Sequence, residues 1–189
     1  MKTLFLIIGA PGSGKTTDAE IVSKNNPEVV THYSTGDMLR AEASSGSEIG
    51  EIIKKRIDNG ELVPVEIAAQ TIIKAINNAK TPIVIIDGYP RSMEQLLALD
   101  SFLNEQDSII LKKVIEVVVS QEVAKERVLG RARGADDDEK VFAHRMKVYL
   151  EPLDEIQKFY EEKNLLVKIN GERTIEEVVA DLEKVIINE

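Results

Sequence analysis

The sequence predicts an α/β fold: a three-layer sandwich in which helices flank a five-stranded parallel sheet. Three observations carry that expectation. Short runs that are apolar at consecutive positions, such as "TLFLII" (3–8) and "PIVIID" (82–87), read as parallel strands buried on both faces. Stretches of helical period lie between them. A glycine-rich turn, "GAPGSGKT" (9–16), stands directly after the first apolar run and before a helical pattern.

The elements follow in order. After strand 3–8, a helix is expected from Gly14 to about Asn25, then a short strand "VVTHYS" (29–34). "TGDMLRAEASS" opens a helix, with Thr35 or Asp37 as its cap. "SEIGEIIKKRIDNG" is amphipathic, with Ile49, Ile52, Ile53 and Ile57 on one face and Gly60 as its stop. Pro64 starts the next helix. Strand 82–87 precedes a helix over 92 to about 105, and "KKVIEVVVS" (112–120) is a further buried strand. "QEVAKERVLGRA" is helical and "RGADDD" is a polar loop. A long helix is expected from about Asp138 to Lys163, with Pro152 as a bend. "LLVKIN" and "TIEEVVADLEKVII" supply the last strand and helix. In such sheets ligands bind beyond the carboxyl ends of the strands. The glycine-rich turn, "IIDGYPR" and "KING" should therefore meet at one edge.

The 189 residues suffice for one compact domain with small insertions. The chain has no Cys, which excludes disulfides and thiolate zinc sites. Its longest apolar stretches fall short of a membrane span, and its first residues carry no signal-peptide pattern, so a cytoplasmic location is expected. The net charge of −9 makes the chain a poor non-specific binder of nucleic acid. Positive charge for an anionic ligand must be gathered locally.

"GAPGSGKT" fits the phosphate-loop pattern G-x-x-x-x-G-K-[ST] in its required context of strand, loop and helix, so the fold class is that of a P-loop sandwich. Gly12 and Gly14 let successive backbone N–H groups converge on one anion around Ser13, and the helix N-terminus adds partial positive charge. Lys15 can reach the β- and γ-phosphates of a nucleoside triphosphate. A hydroxyl of Thr16 or Thr17 can touch Mg²⁺. Asp87 ends a buried strand, where a carboxylate holds Mg²⁺ directly or through water. No NKxD-type guanine signature is present. Phosphoryl transfer is mostly positioning and charge neutralisation, so an acceptor that is itself a phosphate needs several guanidinium groups. Arg40, Arg91, Arg127, Arg131, Arg133 and Arg145 are the candidates. His32 and His144 have no metal-ligand spacing and read as structural.

These segments resemble the adenylate kinase family over essentially the whole length. "GAPGSGK" is similar to its phosphate loop, "YSTGDMLR" (33–40) to its monophosphate site and "DGYPRSMEQ" (87–95) to its D-G-[FY]-P-R…Q signature. "NGELVP" (59–64) matches the stretch that closes over AMP, and "ERVLGR" (126–131) opens the lid. The resemblance implies a single domain over 1–189, with an AMP-binding insert at about 34–63 and a short lid at about 127–137. It implies reversible transfer of the terminal phosphoryl group of Mg–ATP to AMP, giving two ADP without a covalent enzyme intermediate. It also implies a monomer with no zinc and no nucleic-acid or membrane partner.

By resemblance, Gly12 to Thr17 wrap the ATP phosphates, Arg127 lies against the ATP base, Arg131 against its phosphates, and the turn bearing Arg173 borders the adenine. Arg40 and Arg91 hold the AMP phosphate. Thr35, Gln95 and the backbone of Glu61, Leu62 and Val63 face adenine and ribose, beside the Gly88–Tyr89–Pro90 turn. Arg133 and Arg145 clamp the transferring group, with Lys15, Arg91 and Arg131 as the other catalytic cations. Gln95 suits adenine on its own chemistry, because an amide both donates and accepts. Related uridylate–cytidylate kinases commonly carry Ala in the Thr35 slot and Asn in the Ser92 slot, which favours AMP here. The chain departs from the family at Thr16, where Gly is usual, and in a lid so short that only Ala132 separates Arg131 from Arg133. A kinase for another monophosphate and a non-catalytic nucleotide sensor are the alternatives.

Overall fold

The computed structural model describes residues 1–131 and 138–188. Its sheet is five-stranded and parallel, in the order β2-β3-β1-β4-β5. The strands are β1 (Lys2–Ile8), β2 (Val30–Ser34), β3 (Ile83–Asp87), β4 (Ile109–Val118) and β5 (Leu166–Asn170). The helices are α1 (Lys15–Asn25), α2 (Thr35–Ala43), α3 (Glu48–Asp58), α4 (Val65–Asn78), α5 (Met93–Asn104), α6 (Gln121–Arg131), α7 (Glu139–Leu150), α8 (Leu153–Glu162) and α9 (Ile175–Ile187).

Because successive side chains of a strand point to opposite faces, the all-apolar strands feed two cores at once. Leu4, Leu6 and Ile8 of β1 pack with Val84, Ile86 and Val114 under α4, α5 and α8. Phe5 and Ile7 pack with Ile85, Ile115 and Val117 against Ala19 and Val22 of α1 and Val178, Leu182 and Ile186 of α9. This yields the expected three layers. A third, smaller cluster joins Ala10 of the glycine-rich loop to Ala124 and Val128 of α6 and Phe142 and Met146 of α7. It fixes the two helices that carry Arg127, Arg131 and Arg145. Among the described residues, no helix is long and apolar enough to cross a membrane.

Four local expectations need correction. The cap of α2 is Ser34, whose hydroxyl accepts from Asp37 N, rather than Thr35 or Asp37. In α3, Ile53 is buried, but Ile49 and Ile52 are about half exposed, because this helix lies off the sheet and only a narrow stripe is covered. The strand expected at 112–120 runs from Ile109 to Val118. It begins earlier because the register slips between Leu4 and Phe5, pairing Leu111 and then Lys113 with β1 and leaving Lys112 in a bulge. The long helix expected up to Lys163 is two helices. Pro152 has no N–H to continue α7, and it stands as the N-cap of α8.

Candidate active site

The carboxyl ends of β1 and β3 are neighbours, with Ile7 registered on Asp87, and Gly88 N donates to Ile7 O at 2.9 Å. The sheet therefore brings the glycine-rich loop and the Asp87 turn side by side. Gly12 (φ 82°) and Gly14 (φ 89°) hold left-handed conformations that glycine adopts without penalty. At Gly12 a Cβ would also lie 2.4 Å from Ala124 O, so the close seat of α6 on the loop depends on this residue. Gly14 is the N-cap of α1 and has no side chain, leaving the first helical N–H groups available to an anion. Ser13 Oγ is buried and has no partner.

Two pockets open on this edge, and Lys15 lines both. The first is walled by Thr35, Gly36, Leu39 and Arg40 of α2, by Glu61 to Val63, by Gly88, Arg91 and Gln95, and by Arg145 and Tyr149. The second is walled by Gly12, Gly14, Thr16, Thr17, Asp18, Arg127, Arg131 and Arg173, with Ile175 and Val178 of α9. The sequence expectations for two nucleotides thus sort onto two adjoining cavities with one shared lysine. Burial pulls the Lys15 ammonium down to about 7; the Arg91, Arg145 and Arg131 guanidiniums push the same way and Asp87 opposes them. Three guanidiniums from three different segments converge on the boundary between the pockets.

Within the first pocket, Arg91 Nε donates to Gly88 O at 2.7 Å, and Arg40 Nη2 donates to Asp37 Oδ1 at 2.6 Å. Burial lowers the Arg91 guanidinium below its ordinary value, with Arg40 acting in the same direction. Gln95 is buried, and its Oε1 accepts from Arg91 N at 2.7 Å. That bond fixes the amide orientation and turns Nε2, a donor, toward any ligand. Thr35 Oγ1 is buried without a partner. Tyr89 was expected at the AMP site. Instead it is fully buried in the sheet core, and its hydroxyl donates to Gln95 O at 2.6 Å, bracing the helix start that carries Gln95. Neither it nor Pro90, joined to it by a cis peptide bond, lines the pocket.

In the second pocket, Arg127 Nη1 donates to Ser13 O at 3.2 Å and its Nη2 to Gly171 O at 3.0 Å. One guanidinium so ties α6 to the glycine-rich loop and to the β5–α9 turn. Arg173 lines the same pocket and donates to Asp181. Arg133 and the acidic pair Asp136 and Asp137 lie outside the described residues.

Asp87 is buried, next in the chain to Gly88 of the first pocket and bonded to Thr16 of the second. Its Oδ1 accepts from Thr16 Oγ1 at 2.9 Å, and its Oδ2 lies 2.5 Å from His32 Nε2. The histidine read as merely structural is therefore the direct partner of the expected metal-site carboxylate. It shares a strand face with Ser34, the register partner of Asp87. Only the strand pairing joins two residues 55 apart, so no local pattern could have found this contact. Asp18 and Tyr149 were also missed. Tyr149 stands one helical turn after Arg145, a spacing that does carry the signal. Among the described residues, no group of three or more His, Cys, Asp or Glu side chains could form a metal cage. A single carboxylate and a hydroxyl still fit Mg²⁺, which keeps several waters and binds through one or two carboxylates plus substrate phosphates.

The chain resembles known proteins along its whole length. The family model described as adenylate kinase matches residues 7–165. An adenylate kinase of a Nitratiruptor species is 62% identical over 187 residues, covering 99% of this chain and 96% of that protein. One from Helicobacter pylori is 59% identical over 188 residues, covering 100% and 98%. One from Campylobacter lari is 62% identical over 189 residues, covering 100% and 98%. With two pockets joined at one lysine and this similarity throughout, the chain belongs to the adenylate kinase family.

Proposed function

We propose the following division of labour for the reversible transfer of the terminal phosphoryl group of ATP to AMP, giving two ADP, that this enzyme catalyses. ATP occupies the pocket walled by Arg127 and Arg173, with its phosphates on Gly12, Ser13, Gly14, Lys15, Thr16 and Thr17. AMP occupies the pocket walled by Thr35, Arg40, Glu61, Leu62, Val63, Gly88, Arg91 and Gln95. The observation that carries this assignment is the position of Lys15 on the common wall, with Arg91, Arg131 and Arg145 converging on it. Arg133 joins them as a clamp of the transferring group.

The step is a direct displacement. An oxygen of the AMP phosphate forms a bond to the terminal phosphorus of ATP as the bond from that phosphorus to the bridging oxygen of the ADP leaving group breaks. The acceptor oxygen is already an anion, so no general base is needed. Charge spreads over the three equatorial oxygens of the transferring group. Lys15 and the guanidiniums compensate it from fixed positions, with no reorganisation during the reaction. The Gln95 Nε2 donor matches a ring nitrogen acceptor of adenine, whereas the corresponding N–H of guanine meets a second donor. Thr35 Oγ1, unpartnered in the protein, is available to the base.

Asp87 and Thr16 would hold Mg²⁺, the carboxylate through water, since both Asp87 oxygens already have protein partners. Bound there with ATP, the ion would neutralise charge on the β- and γ-phosphate oxygens. Residues of about 34–63 and 127–137 form the AMP-binding insert and the lid, whose closure excludes water as a competing acceptor. The enzyme acts as a monomer in the cytoplasm without nucleic-acid or membrane partners; the net charge of −9 supports the absence of nucleic acid.

A coupled assay offering AMP, CMP, UMP, GMP and dAMP with Mg–ATP tests the assignment. The expected result is a kcat/KM for AMP at least about 100-fold above those for UMP and GMP, whose ring N–H groups leave a buried donor facing a donor. Comparable rates with all the bases would refute the placement of Gln95 and Thr35.

A further inference from the structure

Asp18 has the surroundings of a ligand group rather than of a structural one. It sits on the first turn of α1, is 4% exposed, and lines the second pocket. Its carboxylate makes no side-chain hydrogen bond or ion pair among the described residues. Buried carboxylates are ordinarily paired or hydrogen-bonded, since an unpaired one costs several kcal/mol. The cation that faces it makes no hydrogen bond to it. Arg127 stands across Gly14 from the carboxylate: a Cβ on Gly14 would lie 3.3 Å from Asp18 Oδ2 and 3.6 Å from Arg127 Nη1. Arg127 instead directs Nη1 to Ser13 O and Nη2 to Gly171 O. Arg173 is committed to Asp181. The Asp18 carboxylate is thus an acceptor in this pocket that no described residue serves.

We propose that Asp18 is a specificity-determining residue of the donor site and accepts hydrogen bonds from the sugar hydroxyls of the bound nucleoside triphosphate. This rests on the donor assignment above and deepens it. Phosphates carry no donors at neutral pH, so they cannot be what Asp18 meets. Of the donors a nucleoside triphosphate offers, the amino group of the base belongs at the far end, by Ile175, Val178 and the Gly171 turn. The sugar lies between base and phosphates. Asp18 stands at that point of the wall, beside the Gly14 cradle and beside the guanidinium that bridges loop and turn. A vicinal diol matches a carboxylate, which accepts two hydrogen bonds at once.

The test compares Asp18→Ala and Asp18→Asn with the unsubstituted enzyme, at saturating AMP, with ATP, 2′-deoxy-ATP and 3′-deoxy-ATP as donors. Dissociation constants for a non-hydrolysable ATP analogue, measured by calorimetry, give a readout independent of turnover. Asp18→Ala should raise the KM for ATP and the analogue's dissociation constant about tenfold, as expected for hydrogen bonds to a charged acceptor. The loss should fall on donor KM, not on kcat or on the KM for AMP. It should shrink to about twofold or less with at least one deoxy donor, because the partner hydroxyl is already gone. Asp18→Asn, whose amide oxygen still accepts, should lie between; should Asp18→Ala fail to fold, this isosteric variant carries the comparison. Equal losses with all three donors, or no loss, would overturn the proposal and leave Asp18 as an acid at a helix start. Failure of the unsubstituted enzyme to phosphorylate AMP from ATP would instead strike at the donor assignment.

Discussion

In the free enzyme Lys15 is crowded by Arg91, Arg145 and Arg131, and burial with that crowding brings it to about 7. Binding of a triphosphate reverses the local sign of charge, because several anionic oxygens then face the same ammonium. Its pKa should return to or above the 10.5 of an ordinary lysine. At about pH 8 the free enzyme holds that proton in only about a tenth of molecules, whereas the complex holds it in nearly all. ATP binding should therefore take up about 0.9 proton at about pH 8, about 0.5 at pH 7 and about 0.1 at pH 6. The nucleotide's own phosphates are fully ionised at about pH 8, so the signal there belongs to the protein. Calorimetric titrations in buffers of differing ionisation enthalpy measure it directly. Replacing Lys15 by Met should abolish the uptake as well as weaken binding. Uptake that stays flat from pH 6 to 8, or persists in Lys15→Met, would refute the picture of a lysine held partly deprotonated by converging guanidiniums.

Four further outcomes follow from the contacts. His32→Ala strands Asp87 Oδ2 in a buried position and should cost about 1–3 kcal/mol of stability, read as a lowered midpoint of denaturant unfolding; an unchanged midpoint contradicts the contact. Gln95→Leu removes the Nε2 donor and the acceptor of Arg91 N together, and should raise the KM for AMP about 10- to 100-fold with the KM for ATP unchanged in initial-rate assays. Thr16→Gly loses one hydrogen bond to Asp87 Oδ1 and should lower kcat/KM only several-fold; a variant without measurable turnover contradicts that. Burial pushes Asp18 up to about 6, above the ordinary 3.8, while Arg127 opposes it. A folded-state value above the unfolded one means that its contribution to stability is fully present below about pH 4 and is lost as the pH rises through about 6. After allowance for solvent screening, Asp18→Asn should therefore stabilise the free protein by about 1 kcal/mol at pH 7 and by nothing at pH 4, which thermal melts across that range would show.

What the sequence made legible was whatever a single segment decides. The glycine-rich loop, its lysine and the apolar strands are local patterns, and the parallel sheet that follows from them necessarily gathers the strand ends. Hence Lys15, Arg91 and Gln95 line one pocket, and Asp87 is registered on Ile7 at the end of the neighbouring strand. Illegible were the facts that need two segments in a known register. His32 reaches Asp87 only because β2 pairs with β3 in the observed alignment, and "DGYPR" does not say that its tyrosine turns into the core while its arginine turns into the pocket. Helical periodicity placed Ile49 and Ile52 with Ile53, but a period states which residues share a face, not whether anything covers it. Asp18 shows the same limit at the site. A carboxylate in a helix's first turn looks like an ordinary dipole partner, and its chemistry emerges only when the structure shows that Arg127 and Arg173 of the same pocket bond to other groups. The gap between motif and mechanism in this chain is therefore one of partner accounting. The motif supplies the cations, and the fold decides which acceptors remain for a nucleotide.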